Sequence, residues 1–179
     1  MRTALPRGRR AAAGAALLLA LLAGCHRLPR PGAPSGQVVR VLDGDTIEVL
    51  MGGRTVRVRL HGVDCPERGQ AFGTAARRFT AELCFRRTVG LRSYQTDRYG
   101  RLLADVVLPD GRVLNHELLR AGLAWWYRQY APADATLAAL EAEARAARRG
   151  LWAEADPLPP WEYRAGRRGA GRSRTQAGR

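Results

Sequence analysis

The sequence contains no lysine and only three cysteines among its 179 residues. All 30 basic side chains are arginine, against 16 acidic side chains, and the formal net charge is +14. Three cysteines are too few for a disulfide scaffold or for a four-cysteine zinc site. Hydrophobic residues make up 46 % and charged residues 26 % of the chain. This composition allows one packed domain and excludes wholesale disorder.

The positive charge is concentrated at the two ends of the chain. Four arginines lie within residues 2–10, and six lie within residues 164–179, a tail without any acidic residue. Without these ten arginines the net charge falls from +14 to +4, so the middle of the chain is only mildly basic. We interpret the tail as a solvated extension. The alternative is a salt-sensitive arm that gathers nucleic acid or anionic lipid headgroups.

The N-terminal segment has the pattern of an export signal. The basic residues are followed by an apolar run, 11–24, which is too short for a transmembrane helix and suits a signal-peptide core. The run ends in Leu22-Ala23-Gly24-Cys25, which resembles the lipobox of bacterial lipoproteins, where the cysteine accepts lipid. We therefore expect a signal peptide (1–24), a Pro- and Gly-rich tether (25–36), and a cell-envelope protein bound to the membrane through Cys25. The alternative is a secreted soluble protein.

The region 37–155 alternates short strand-like runs with turns. The runs 38–42, 46–50 and 55–60 are separated by Asp43-Gly44 and Gly52-Gly53, which predicts two hairpins. We then expect a helix capped by Thr74, two more strands, a short helix capped by Asn115, and a last helix from Asp134 to about Arg149. This order predicts an α+β fold, a five-stranded OB-fold β-barrel with three α-helices. Residues 156–179 are expected to be a disordered tail.

The side chains that could act in catalysis or binding lie in four short segments: Asp43-Gly44-Asp45-Thr46, Arg59–Glu67, Thr96–Arg101 and Leu123–Pro132. Asp45 and Asp64 are hard oxygen donors at strand ends, and such a pair with backbone carbonyls and water suits weakly bound Ca²⁺. Glu67 can orient or deprotonate a water beside the metal. Arg59 and Arg101 offer forked donors for phosphate oxygens. Together these residues form a set that can cleave a phosphodiester.

The four segments, in this order, resemble the staphylococcal nuclease family over about residues 37–153. The resemblance implies a Ca²⁺-dependent nuclease acting on DNA and RNA, in which an in-line water attack expels the 5′-oxygen and leaves 3′-phosphate ends. It also implies a role for each matching residue: catalysis for Arg59, Glu67 and Arg101; metal binding for Asp45, Asp64 and the backbone carbonyl of Cys65; an outer-shell position for Asp43; and nucleotide binding for Arg98, Tyr99 and Tyr130. We expect a monomer.

The sequence departs from the family pattern at three places. Cys65 replaces a threonine of the founding member, but its ligand is a main-chain oxygen. Arg128 replaces a tyrosine that faces the base, and a flexible basic loop is shortened to residues 68–72. Two alternatives therefore stay open: a non-catalytic OB-fold module that binds nucleic acid or a protein, and a structural envelope lipoprotein with a relic site.

Several residues near these motifs have simpler interpretations. Asp97 and Arg101 could form a structural ion pair. His61 has no partner at metal-ligand spacing, which favours a structural role. The cluster 125–127 of Trp, Trp and Tyr favours core and rim packing over base stacking. Cys65 and Cys84 could form a disulfide in an oxidising compartment, but the sequence does not show that they are close.

Overall fold

The protein is described by a computed structural model that covers residues 34–176. Its strands, in chain order, are β1 (Ser35–Asp43), β2 (Thr46–Met51), β3 (Arg54–Leu60), β4 (Val63–Asp64), β5 (Thr88–Thr96), β6 (Leu102–Val107) and β7 (Trp125–Trp126). Five of them close a barrel in the order β1-β2-β3-β6-β5, while β4 and β7 form a separate two-stranded sheet. The β3–β6 pair is parallel and the other pairs of the barrel are antiparallel. The predicted five-stranded barrel is confirmed.

Four α-helices accompany the barrel: α1 (Gly73–Cys84), α2 (Leu114–Arg120), α3 (Ala135–Ala146) and α4 (Pro160–Gln176), with a 3₁₀ turn at Gly150–Ala153. Helix α1 lies between the third and fourth strands of the barrel, β3 and β5, as predicted. Helix α4 is one more than predicted, and it covers residues that the sequence assigned to a disordered tail. Pro160 at the first helical position and Glu162 in the first turn both favour a helix start there.

The core fills the barrel and continues beneath the helices. In β3 the buried Val58 and Leu60 alternate with Arg57 and Arg59, as expected for a strand with one face in the core. Further fully buried side chains come from every part of the barrel and from α2, among them Val38, Ile47, Val49, Leu91, Leu114, Leu118 and Leu119. The described residues thus contain a closed barrel with its own core, which is what independent folding requires.

The strand pairing gathers the ends of three segments at one end of the barrel. Thr46, which follows the β1–β2 turn, pairs with Arg59 of β3. The chain then turns at Gly62, whose φ of 69° lies in the left-handed region and where a Cβ would approach Leu137 to 2.5 Å. Asp64 of β4 pairs with Trp125 of β7, which fixes its position. The β1–β2 turn that carries Asp45 (the Asp45 turn), β3 and β4 therefore meet at this end.

The helix starts differ in part from the sequence-based expectation. Helix α1 begins at Gly73. Its N-cap is Phe72, with a left-handed φ of 63°, and the predicted cap Thr74 lies inside the helix. Asn115 lies inside α2 and is fully buried, so it is not a cap. Asp134 caps α3 as predicted, because its carboxylate accepts from the Leu137 N–H at 3.0 Å. That helix ends at Ala146, three residues before the expected end.

The export prediction falls outside the described residues, since the signal peptide and Cys25 both precede residue 34. Between residues 34 and 176, no helix has the length and apolar composition needed to cross a membrane. The two cysteines of the barrel domain, Cys65 and Cys84, are both buried and unpaired. The structure therefore favours free thiols over the disulfide that the sequence left open.

Candidate active site

A pocket of about 880 Å³ lies at the end of the barrel where the Asp45 turn, β3 and β4 meet. Nine of the ten residues predicted for catalysis, metal and nucleotide binding line it: Asp43, Asp45, Arg59, Cys65, Glu67, Arg98, Tyr99, Arg101 and Tyr130. The tenth, Asp64, is 1 % exposed and contacts the pocket residue Arg59. The fold thus brings the predicted residues together.

Arg59 joins the two carboxylates predicted to bind metal. Its Nη1 lies 2.5 Å from Asp45 Oδ2 and its Nη2 lies 2.6 Å from Asp64 Oδ1. Asp45 also accepts from the Cys65 N–H at 2.7 Å and from the Thr46 hydroxyl at 3.0 Å. The two carboxylates therefore contact the same guanidinium.

Burial and charge act against each other on these groups. Burial raises the pKa of Asp64, although its hydrogen bonds from Arg164 and the charge of Arg59 act in the opposite direction. Burial and then the charge of Asp45 raise the pKa of Asp43. For Arg59, burial lowers the pKa, but the charges of Asp45 and Asp64 outweigh it and the net shift is upward. The guanidinium therefore stays charged between the two carboxylates.

Glu67 lies in the tight turn that follows Pro66. Its backbone N–H donates to Gln70 Oε1 at 3.0 Å, and its carbonyl accepts from the Gln70 N–H at 2.9 Å. The turn packs closely on Gly73, where an added Cβ would lie 2.1 Å from the Glu67 carbonyl oxygen. The side chain is 35 % exposed, so the turn presents a solvent-accessible carboxylate beside the two buried ones.

Arg101 is held by Asp97 in the turn between β5 and β6. Its Nε and Nη2 each lie 2.7 Å from Asp97 Oδ2, and the backbone N–H groups of Tyr99 and Arg101 donate to Oδ1 at 2.8 and 2.9 Å. Burial raises the pKa of Asp97, but these bonds and the charge of Arg101 together outweigh it, and the net shift is downward. The structural ion pair is therefore present, and it also fixes Arg101 in the pocket lining with 29 % of its side chain exposed.

Exposed aromatic rings lie at two places in the lining. Tyr99 is 67 % exposed and contacts the guanidinium groups of Arg98 and Arg101, whose Cζ atoms lie 4.9 and 5.3 Å from the ring centre. Tyr130 is 51 % exposed and meets Tyr127 edge-on at 4.8 Å. Both rings are exposed to solvent, where a planar ligand group can reach them.

The neighbouring aromatic residues pack as the sequence predicted. Trp125 is 8 % exposed and lies edge-on against Trp152, with the ring centres 4.4 Å apart. His61 stacks on Tyr94 at 4.0 Å. Its carbonyl accepts from the Asn115 amide at 2.9 Å. These contacts support a structural role for Trp125 and His61.

Arg164 of α4 is a site residue that the sequence reasoning missed. Its Nη1 lies 2.6 Å from Glu67 Oε1, and its Nη2 lies 2.8 Å from Asp64 Oδ2. The sequence assigned this arginine to a solvated tail. The signal that could have corrected this is the stretch 160–163, in which a proline and an acidic residue favour a helix start and two aromatics offer a packing face.

The donor set fits a hard divalent cation. Among residues 34–176, no group of three or more His, Cys, Asp or Glu side chains has the geometry of a metal site. The Asp45 and Asp64 carboxylates nevertheless share one guanidinium, and carboxylate, carbonyl and water oxygens are the ligands that Ca²⁺ prefers. The Cys65 thiol is buried, and burial raises its pKa well above the usual value, so it stays protonated. Cys65 can therefore contribute only its backbone carbonyl.

Comparisons with known proteins point to one family. A family model described as "Staphylococcal nuclease homologue" matches residues 57–154. An "Uncharacterized endonuclease" of Escherichia coli O157:H7 is 48 % identical over 129 residues, which cover 72 % of this chain and 84 % of that protein. A "Micrococcal nuclease" of Shigella flexneri is 45 % identical over 138 residues, covering 72 % and 79 %. An "Uncharacterized endonuclease" of Haemophilus influenzae is 36 % identical over 149 residues, covering 83 % and 80 %.

Proposed function

The chain belongs to the staphylococcal nuclease family, and from this membership we propose that it is a Ca²⁺-dependent nuclease that hydrolyses phosphodiester bonds in DNA and RNA. The nuclease names of its relatives support the hydrolytic activity. One observation carries the proposal furthest, namely that Arg59 joins the carboxylates of Asp45 and Asp64 beside Glu67. Arg101 lines the same pocket, so the residues proposed as metal ligands, base and phosphate-binding cations lie close to one another.

Asp45, Asp64 and the Cys65 carbonyl would hold the Ca²⁺. Two protein carboxylates make a weak site, of the ~10⁻⁴–10⁻³ M class suited to extracellular calcium. When bound, the ion neutralises negative charge on a phosphate oxygen. Asp43, with 41 % of its side chain exposed next to these ligands, fits an outer-shell role through water.

Glu67 is the proposed general base. It accepts a proton from a water whose oxygen bonds to phosphorus, while the bond from phosphorus to the 5′-oxygen breaks and that oxygen takes a proton from solvent. The product carries a 3′-phosphate. Arg59 and Arg101 donate to the non-bridging phosphate oxygens and stabilise the charge that develops there.

The nucleotide contacts favour little base preference. Tyr99 and Tyr130 present exposed rings, and Arg98 adds a cation at 4.9 Å from the Tyr99 ring. Stacking on an aromatic ring is worth about 1–3 kcal/mol per base and tolerates every base. Phosphate contacts carry no sequence information either. We therefore propose that DNA and RNA are both substrates.

We also propose that the protein works in the cell envelope as a lipid-anchored monomer. The proposal is supported by the basic and apolar residues 2–24 and by the lipobox-like Leu22-Ala23-Gly24-Cys25. Export would place the weak metal site in a compartment that supplies calcium. Incorporation of labelled palmitate into the wild-type protein but not into the Cys25→Ser variant tests the anchor.

The activity test uses the chain from residue 26 onward, which retains the complete barrel. Single-stranded DNA, double-stranded DNA and RNA are incubated with millimolar Ca²⁺ and, in parallel, with excess chelator. We expect cleavage only with Ca²⁺, and products that a polymerase extends only after phosphatase has removed the 3′-phosphate. Cleavage that survives chelation would contradict the metal assignment. Folded protein that binds nucleic acid without cleaving it would favour the non-catalytic binding module.

A further inference from the structure

Helix α4 and the segment before it contact the active site at several places. Gln70, in the turn that carries Glu67, donates to the Leu158 carbonyl at 2.6 Å. Trp161 stacks on Tyr127 with ring centres 5.5 Å apart and an interplanar angle of 6°. It also meets Trp125 edge-on at 5.5 Å. These contacts fix the first turn of α4 beside the pocket.

From this position, Arg164 reaches the proposed metal ligand and the proposed base at the same time. Its Nη2 lies 2.8 Å from Asp64 Oδ2, while its Nη1 lies 3.2 Å from Asp64 Oδ1 and 2.6 Å from Glu67 Oε1. Asp64 Oδ1 also accepts from Arg59 Nη2 at 2.6 Å. Both oxygens of Asp64 are therefore engaged by guanidinium groups, and one Glu67 oxygen is engaged as well.

We propose that Arg164 competes with the catalytic divalent cation for Asp64 and with the attacking water for Glu67, so that α4 holds the enzyme in a latent form until Arg164 withdraws. Arg59 contacts only Oδ1 of Asp64, so Oδ2 is the oxygen left for a cation, and Arg164 Nη2 occupies it. A guanidinium and a metal ion are both positive, and they cannot share that oxygen in a partly buried site without strong repulsion. Arg164 also occupies one acceptor site of Glu67 Oε1, which leaves fewer sites of this carboxylate for a water molecule. This inference rests on the proposed function, since it takes Asp64 as a metal ligand and Glu67 as the base.

The competition is reciprocal. If Arg164 weakens Ca²⁺ binding by a given factor, bound Ca²⁺ must weaken the contact of α4 with the site by the same factor. Couplings of this kind are commonly on the order of tenfold. The competition can therefore be tested by two measurements, the affinity for Ca²⁺ and the protection of α4 against hydrogen exchange.

A different role for Arg164 would give different results. An arginine that contacts the substrate would lower cleavage when it is removed and leave the affinity for Ca²⁺ unchanged. Both its Nη atoms donate to Asp64 and Glu67, which favours competition with a cation over contact with a phosphate. Arg167, one turn further on, lies over the Tyr163 ring at 5.8 Å and supplies a control of equal charge.

The first experiment measures Ca²⁺ affinity by calorimetry, without nucleic acid, for the wild-type chain from residue 26 and for Arg164→Ala and Arg167→Ala. We expect Arg164→Ala to bind Ca²⁺ roughly tenfold more tightly and Arg167→Ala to stay within about twofold of the wild type. Circular dichroism confirms that each variant is folded. The second experiment follows hydrogen exchange of the unmodified chain, where Ca²⁺ should speed exchange in residues 160–168 and leave α3 unchanged.

The outcomes separate this inference from the proposed function. Equal Ca²⁺ affinity of the wild type and Arg164→Ala, or α4 exchange that does not respond to Ca²⁺, would overturn the competition while the metal site stands. Lower cleavage by Arg164→Ala at unchanged Ca²⁺ affinity would also overturn it and assign Arg164 to the substrate. If the wild type and both variants fail to bind Ca²⁺, the proposed function fails and this inference fails with it.

Discussion

Replacing Arg59 by alanine removes the cation that joins two buried carboxylates. The Arg59 side chain is 12 % exposed and lies within 2.6 Å of both Asp45 and Asp64. After the substitution, Asp64 keeps Arg164, and Asp45 keeps only hydrogen bonds from the Cys65 N–H and the Thr46 hydroxyl. Asp45 therefore becomes a buried carboxylate without a positive partner.

The size of the effect follows from this loss. Removing one partner of a buried ion pair costs about 3–5 kcal/mol, and the bonds that remain to Asp45 and Asp64 place the cost near the lower end. For a domain of this size, 1 kcal/mol shifts the melting temperature by about 2–4 °C, so we expect a decrease of about 6–12 °C. Because Arg59 also stabilises charge on the phosphate, kcat should fall by roughly 10²-fold or more.

The assay is thermal unfolding in the presence of chelator, followed by cleavage kinetics with saturating Ca²⁺. Arg57→Ala is the matched control, since Arg57 lies two residues earlier in β3, is 55 % exposed and pairs with Glu48 at 3.1 Å. Arg57 itself is mostly exposed, and Glu48 keeps Arg40 at 3.3 Å after the substitution, so the control should change stability by only about 0–1 kcal/mol and leave kcat unchanged. Equal melting temperatures and equal kcat values for the two variants would refute the reasoning.

Three further predictions concern the pocket and the core. Arg101→Ala should lower kcat by roughly 10²-fold, because Arg101 stabilises charge on the phosphate. The melting temperature should stay nearly constant, because the Arg101–Asp97 pair is partly exposed. Turnover near the wild-type value would show that Arg101 has no catalytic role. Cys65 and Cys84 should resist alkylation at pH 8 in the folded chain from residue 26, because both are buried and burial raises the pKa of Cys84 to about 12. After denaturation both should react without reductant. Thiols that stay blocked would indicate a disulfide. Asn115→Ala should lower the free energy of unfolding by about 1–3 kcal/mol, seen in urea titration, with KM unchanged; an undiminished stability would contradict its role as a buried hydrogen-bonding residue.

The sequence predicts the barrel well because its signals are local. The alternation in residues 55–60 and the Gly52-Gly53 turn determine the second hairpin without reference to the rest of the chain. Asp134 is likewise a local signal, since its carboxylate caps a helix that begins at the next residue. The motif residues Asp45, Arg59, Asp64 and Glu67 could be placed together only through the family resemblance.

The errors arise where a partner lies far away in the chain. Asn115 is a reasonable cap in its local sequence, but its amide bonds to the carbonyl of His61, 54 residues earlier. Arg164 lies in a charge-rich stretch that favours disorder, but it pairs with Asp64, 100 residues earlier, and with Glu67. Residues 160–163 could indicate the helix that carries Arg164, but the partners of Arg164 and Asn115 depend on the tertiary fold and not on the local sequence.

The most direct test of the central claim is the cleavage rate of Glu67→Gln together with its affinity for Ca²⁺. The amide keeps the size of the side chain and removes the basic oxygen, so single-turnover cleavage should fall by roughly 10²–10⁴-fold. Ca²⁺ affinity should be no weaker than in the wild type, because Asp45 and Asp64 are unchanged. Cleavage at the wild-type rate by the Ca²⁺-loaded variant would contradict the assignment of Glu67 as the base, and with it the mechanism proposed for this pocket.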